Sequence, residues 1–565
     1  MAITVPGVPT SRKQPGILLN VVLGGPGTSA GEAQKKILLT GAMIAANITA
    51  ASPSFTVTAG NYRTGAVPTN QVTPIISEED AITRFGAGSE LHCMTKAVFD
   101  QYPDAPLFAV PVIEPAGGTA ATAKLYLAGT ASEAGTLRLW IAGTMVDVNI
   151  PSGQLIADTV AAVTNAILAV TGLPVTAQYA AGPLSPVTLT AKHLGTRGNY
   201  ITLRANLIST TATVDVPSTL VDGPPPANVV TLFGLTAGFS SIATVITPTV
   251  KYMAGGVGDD ASGLGLTNAL GAAAKDLYDR VVSPSPEGGS SNTYIDRLKT
   301  WLTAQAVPTR GICAQGVAAI VATLTAAQGA GTASLQINYA RMQLVLHPRA
   351  EQTPGVIAAQ TCAARLIGDV QAGGNSVGEA LDVGANLDGV RLATITLQPY
   401  DGDRLSSDDP DTALQYGLTP LVASPGRAGY VEISRSITSR WKDDTGAPNY
   451  GVLDTSDVTV TDAVAARIRQ EFAVTFKGYR LAPDSDAPPT TDRTTTPLLI
   501  RAFLHALLKA EEELGHVIEV DDRLALLKVQ ARTGTPWWIN AEIPVVPIVG
   551  LHVFAANVRQ LTARL

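Results

Sequence analysis

Charge is scarce in this chain: Asp, Glu, Lys and Arg supply 15% of 565 residues, against roughly 25% in an ordinary soluble domain. Apolar residues reach 46% and the mean hydropathy is +0.21. A surface so thinly charged is expected to be covered in part by partners. Cysteine is scarcer still. Cys93, Cys313 and Cys362 are odd in number and far apart, which excludes a disulfide framework or a zinc cluster and suits folding in a reducing cytosol. The six histidines, at 92, 193, 347, 505, 516 and 552, include no pair at metal-ligand spacing along a helix. There is no basic excess either: 39 Lys and Arg stand against 46 Asp and Glu, a net charge of -7. That removes the footprint that phosphate neutralisation needs, so no direct nucleic-acid ligand is expected. No uncharged apolar run approaches the ~20 residues of a spanning helix, and "MAITVPGVPTSRKQPG" lacks the charged-then-apolar order of a signal peptide. The expectation is a soluble protein, or one held in a soluble assembly, without membrane insertion.

Catalytic signatures are also missing. There is no GxSxG elbow, no HExxH and no GxxxxGK[ST]. Ser439 and Lys442 in "SRWK" match SxxK, the pattern of a serine hydrolase, but its SDN and KTG companions are absent. Asp401 and Asp403 in "DGDRLSSDDPD" invite a calcium reading, yet Ser406 and Thr412 stand where an EF-hand needs Gly and Glu. Glycine-rich "LGGPGTSAG" and "AGGVGDD" lack phosphate-loop spacing and read as turns. His505, one position off an apolar helix face, reads as a partly exposed ring. The residues therefore point away from an enzyme and predict no catalytic, cofactor or metal site.

What is present is modular α/β patterning. The length predicts about three or four domains. Residues 1–30 read as an extended arm containing a strand, "ILLNVVLGG". Segment 31–114 alternates apolar strands with helices, one starting near Ser77. Composition then changes: 115–250 reads as an inserted β-rich region with one helix, "DTVAAVTNAILAV". The α/β rhythm returns over 251–435, and the two flanking segments read as one layered core interrupted by the insertion. A C-terminal α/β domain follows over 436–555, with a helix capped by Thr496, started by Pro497 and carrying Leu499, Phe503, Leu507, Ala510 and Leu514 on one face. Residues 556–565 read as a trailing arm.

Both ends carry apolar strands. In "IPVVPIVGLHVFAANVRQLTARL", from Ile543, apolar residues fall on both faces, so cover is expected on both. Pro544 and Pro547 confine good ladder pairing to the residues after 547. Ile17–Leu23 has the same character. Such segments either finish their own sheets or add to a neighbour's by β-augmentation, and a head-to-tail contact of that kind builds rings or tubes.

The stretches "VPGVPTSRKQPGILLNV", "FGAGSELHCMTKAVFDQYPDAPLFAVPV", "TAKHLGTRGNYITLRAN", "MAGGVGDD" and "EIPVVPIVGLHV" together resemble the tail sheath proteins of contractile bacteriophages, in particular the Mu-like branch. "LHCMTKAVF" is a loose version of the family's helix after its GxGS turn, and 210–250 matches nothing in it. The resemblance implies a layered α/β sheath core with an outward-facing insertion and extended N- and C-terminal arms. It implies a non-enzymatic subunit, without cofactor, that stacks as hexameric rings around a tail tube and contracts by rigid-body rearrangement to drive the tube through the host envelope for genome delivery. Implied partners are other copies, the tube protein, and baseplate and terminator proteins; the implied location is the virion, after assembly in the host cytoplasm. Carried over by residue, the inter-subunit arms are Pro15, Gly16, Ile17, Leu19 and Val21 at one end, and Val549, Leu551, Val553, Val558 and Leu561 at the other. The alternatives are the sheath of a phage-like bacteriocin or injection system, a serine hydrolase using Ser439 and Lys442, and a glycan-binding tail-tip protein using the insertion.

Overall fold

A computed structural model describes residues 36–549 and 552, with breaks at 45–66, 115–116, 130–133, 180–185, 210–212, 215–234, 241–250, 259, 261, 287–292, 329–336, 372–386, 426–427, 444, 449–451, 485–492 and 536. The chain forms two compact units. One comprises 33–367 and 390–453; the other comprises 1–32, 368–389 and 454–565.

The larger unit opens with strand β1 (Ile37–Ala42), every residue of which is buried. Ile37 and Leu39 enter one apolar cluster and Leu38 enters another, as a strand covered on both faces requires. The short strand β2 (Thr73–Ile75), helices α1 (Glu78–Phe85) and α2 (Glu90–Gln101), and β3 (Leu107–Val112) follow. Ser77 caps α1 by accepting the Asp80 N–H, and Ser89 caps α2 by accepting that of His92.

The insertion packs two antiparallel sheets around one apolar cluster. Its strands are β4 (Ala120–Gly129), β5 (Gly135–Ile141), β6 (Thr144–Ile150), β7 (Val175–Tyr179), β8 (Val187–Leu194), β9 (Thr202–Ser209), β10 (Thr213–Val214), β11 (Leu235–Ser240) and β12 (Lys251–Tyr252). Sheet order is β10-β9-β5-β6, with β12 also on β9, and β11-β4-β8-β7. Helix α3 (Ile156–Ala169) adds Val160, Val163 and Ile167 to the cluster. Thr119 pairs with Val257 and Thr122 with Ala254, so the chain entering the insertion and the chain leaving it run side by side. Residues 254–258 of "AGGVGDD" form that exit, with Gly258 close-packed on Gly118 of the entering chain.

The core resumes with α4 (Leu264–Ala273), β13 (Arg280–Val282), α5 (Thr293–Gln305), β14 (Gln315–Ile320), α6 (Leu324–Gln328), β15 (Met342–Leu346), α7 (Pro354–Gln371), β16 (Arg391–Thr396), α8 (Asp409–Gln415), β17 (Thr419–Ala423) and β18 (Tyr430–Ile433). Nine strands share one sheet in the order β16-β18-β17-β15-β14-β13-β1-β3-β2. Its middle is parallel, and β1 pairs with both β3 and β13. The sequence on either side of the insertion thus makes a single sheet. Helices α2 and α7 cover one face, α4 and α5 the other.

The described part of the smaller unit has α9 (Thr455–Thr475), the paired β19 (Arg480–Leu481) and β20 (Thr494–Thr495), α10 (Pro497–Glu513), and a two-stranded sheet of β21 (Lys528–Ala531) and β22 (Ile539–Glu542). Thr496 caps α10 by accepting the Leu499 N–H, with Pro497 in the first turn. Its buried face differs from the expected one: Ile500, Leu504, Leu507, Leu508 and Glu511 point inward, while Leu499 and Leu514 are exposed. The rotation follows from Glu511, which is fully buried because Arg467 of α9 and His516 pair with its carboxylate.

Candidate functional site

In an open α/β sheet, ligands bind beyond the carboxyl ends of the strands where the chain reverses its direction across the sheet. Here that point lies between β1 and β13, because the chain passes from β1 to β3 on one side and later to β13 on the other. The crevice is filled by the protein itself. Glu90, the first residue of α2, accepts the Ala42 N–H at the end of β1 (2.9 Å) and the Ser285 N–H just beyond β13 (2.7 Å). A carboxylate at a helix start, bonded to two backbone donors, is favourably placed.

The insertion closes over this point with three side chains from β8 and the turn after it. Arg197, buried, stands 3.4 Å from Glu90 and donates to the Tyr294 hydroxyl of α5 at 3.0 Å. His193 Nε2 accepts the Glu90 N–H (2.8 Å), which makes Nδ1 the protonated nitrogen, donating to Glu114. Lys192 donates to the Ala87 and Thr171 carbonyls, and burial pushes its ammonium down to about 8. Gly88 (φ +75°) lies where a Cβ would sit 2.1 Å from the Leu173 carbonyl oxygen, so only glycine lets the two parts meet there.

A second contact lies along the β5–β6 hairpin. Arg204 stacks on Trp140 with its guanidinium 3.5 Å from the ring centre, and pairs with the buried Glu351 at 3.0 Å. Gly143, at the hairpin turn with φ +77°, gives room for the Gln352 amide. Beside these contacts a cleft of about 660 Å³ is lined by Glu78, His92, Lys96 and Asp100 of α1 and α2, among others. Burial lowers the His92 pKa, and its Nδ1 accepts the Gly88 N–H. None of these contacts is visible as a motif, since Glu90 and His193 are 103 residues apart.

The candidate hydrolase pair is not assembled. Ser439 is buried, its hydroxyl donating to the Tyr339 carbonyl and accepting the Tyr339 N–H, while the Lys442 ammonium lies 4.0 Å from the centre of the Trp441 ring. Asp401 pairs with Arg404, and Asp403 with Arg349. Among the described residues no group of three or more His, Cys, Asp and Glu could hold a metal. The same residues contain no helix long and apolar enough to cross a membrane. His505 is 30% exposed and pairs with Asp521.

The C-terminal segment behaves differently from its expectation in two ways. Pairing straddles Pro547: Ile518 N–H donates to the Val546 carbonyl and Ile548 N–H to the His516 carbonyl, so the proline sits at the position in this bridge that needs no donor. Ile543 and Val545 pack on the α9–α10 cluster, but Ile548 is 46% exposed and Val549 67%, so among the described residues these two lack the expected cover. Beyond it His552 is held by Asp388 (2.6 Å) and Asp454 (3.3 Å). Of the proposed arm residues, Pro15, Gly16, Ile17, Leu19, Val21, Leu551, Val553, Val558 and Leu561 lie outside the described residues.

No family model matches the chain. A Mu-like prophage tail sheath protein of Haemophilus influenzae is 26% identical over 479 residues, which span 84% of this chain and 86% of that protein. Over most of its length the chain is similar to that tail sheath protein. Solved sheath tail proteins from Desulfitobacterium hafniense and Listeria innocua align with 88% and 91% of this chain, and with 90% and 95% of their own, at 10% and 13% identity and TM-scores of 0.42 and 0.40. The 479 residues similar to the Haemophilus protein extend well beyond the two ends of the chain.

Proposed function

We propose that this chain is the repeating subunit of a contractile tail sheath, of a phage or of a related injection particle, acting without catalysis or cofactor. Copies stack as hexameric rings around a tail tube, joined by arms at both ends, among them Ile17, Leu19 and Val21, and Val549, Leu551, Val553, Val558 and Leu561. Tube, baseplate and terminator proteins are the other partners, and the particle is assembled in the host cytoplasm and carried in the virion. Contraction then repositions whole subunits and drives the tube through the host envelope for genome delivery.

The homology to a named sheath protein carries this reading. Physical support comes from the smaller unit, where β21 and β22 pair only with one another among the described residues. A two-stranded sheet is marginal alone and gains by accepting further strands. Rigid-body movement is supported in the larger unit, where Glu90, His193 and Arg197 lock the insertion to the core. Negative-stain electron microscopy of the purified chain is the test: striated tubes or rings are expected, and a monodisperse monomer at high concentration would falsify the proposal. Deleting 1–22 or 556–565 should leave a folded subunit without tubes; normal tubes from either truncation would remove that arm from the scheme.

A further inference from the structure

A chain that carries apolar strands for export must keep its own sheets from capturing them, because an open sheet edge takes strands indiscriminately. Among the described residues the nine-stranded sheet has two edges. One, β2, is three residues long and contains Pro74, which cannot donate to a ladder. The other, β16, has six residues and pairs with β18 through an irregular register between Arg391 and Thr396, leaving backbone groups to be satisfied elsewhere.

Three glutamine side chains satisfy them. At the end of α2, Gln101 donates to the Arg391 carbonyl (3.2 Å) and accepts the Ala393 N–H (2.7 Å). Those are the two bonds that a residue of a parallel partner strand would make across Leu392. Gln360 of α7, fully buried, accepts the N–H groups of Thr394 and Ile395 at 3.1 Å each. Gln352 donates to the Thr394 carbonyl at 3.3 Å. Leu392 and Ile395 meanwhile belong to the core cluster, so without the amides β16 would offer an apolar, unpaired edge.

We propose that these glutamines are specificity determinants of assembly: their amides occupy the pairing positions of β16, so that the nine-stranded sheet refuses a strand from another copy of this chain. Gln101 is the gate, since it is the outermost of the three and partly exposed. Gln360 and Gln352 fill the irregular part behind it. A side-chain amide does this better than an apolar cover, because it gives both a donor and an acceptor to the edge and offers no new backbone to extend. The inference rests on the proposed export of the N-terminal strand, and its test reads strand capture by the unassembled chain, separately from tube formation.

The test uses the full chain, dilute and unassembled, with a fluorescein-labelled peptide of sequence GILLNVVLG, residues 16–24 of this chain. Anisotropy measures binding, and amide hydrogen exchange at Ala393 reports whether the peptide sits on β16. Gln101→Ala should bind it about tenfold more tightly than the wild type, the worth of two recovered backbone bonds, with exchange at Ala393 slowed by the peptide. Gln101→Glu keeps the acceptor for Ala393 but sets a charge on the edge; it should lose stability comparably while binding no more peptide than the wild type. Gln101→Asn, too short to span both groups, should behave as the alanine variant and serves if that one folds poorly. Loss of stability in Gln101→Ala without tighter binding, or binding by Gln101→Glu equal to it, would overturn the proposal and leave Gln101 a structural cap.

Discussion

The two units of this chain treat their exposed edges and apolar groups in opposite ways. In the larger unit, edge strand β2 is short, β16 is capped by glutamine amides, and β6 carries a charge at Asp147, which pairs with Arg138. Its crevice at the β1–β13 boundary is filled by Glu90. The smaller unit, about three tenths of the chain, supplies ten of the nineteen large apolar side chains exposed among the described residues, including Leu498, Leu499, Trp537, Ile548 and Val549. Each of its two two-stranded sheets, β19–β20 and β21–β22, has no third strand among those residues. The proposed assembly would draw on the smaller unit, whose two-stranded sheets can accept further strands.

Substitutions can break that contrast, beginning with the buried charges. Glu511→Ala leaves Arg467 and His516 facing an uncharged gap, and Glu90→Ala does the same to Arg197 while also releasing two backbone donors. Each should cost about 3–5 kcal/mol. Calorimetry should assign the first loss to the transition of the smaller unit and the second to that of the larger; a shared shift would show that the units melt as one.

Acid should weaken the larger unit in a defined window. Burial pushes the His347 pKa down to about 4, although the Thr396 carbonyl that accepts its Nε2–H opposes this. The unfolded chain takes up the proton near pH 6.5 and the folded chain only near 4. Stability is therefore full above pH 6.5 and falls by roughly 1.4 kcal/mol per pH unit as pH drops from there towards 4. Burial lowers His92 in the same direction. Urea unfolding at pH 7 and pH 5 should show the loss, and His347→Gln should flatten the slope.

The smallest effect on stability should come with a large one on assembly. Ile548→Asp with Val549→Asp changes two exposed side chains, so subunit stability should move by less than ~0.5 kcal/mol. Tubes seen by electron microscopy should nevertheless be lost, and their survival would remove this stretch from the interface.

Local features were legible because they rest on local chemistry. The caps at Ser77 and Thr496, the Pro497 helix start and the doubly apolar β1 each depend on residues within a few positions of one another. The α10 face was missed because Leu499, Phe503, Leu507, Ala510 and Leu514 satisfy helical spacing as well as the buried set does. Only the fold brings Arg467 and His516 to Glu511, which makes a carboxylate an inward residue. The seam at Glu90, His193 and Arg197 had no signal at all, since its members are scattered through unrelated segments.

By itself, then, the sequence determined the alternation of elements, the interruption of an α/β core by a β-rich insertion, the lack of catalytic motifs and the apolar character of the chain's end. Those properties follow from period, composition and turn chemistry, which act over a few residues. Tertiary structure alone decided that Glu90 fills the crevice, that the Gln101 amide bonds the edge of β16, and that Ile548 and Val549 are exposed among the described residues. A buried charge or a closed edge depends on a partner brought close by folding, and no spacing along the chain encodes that distance.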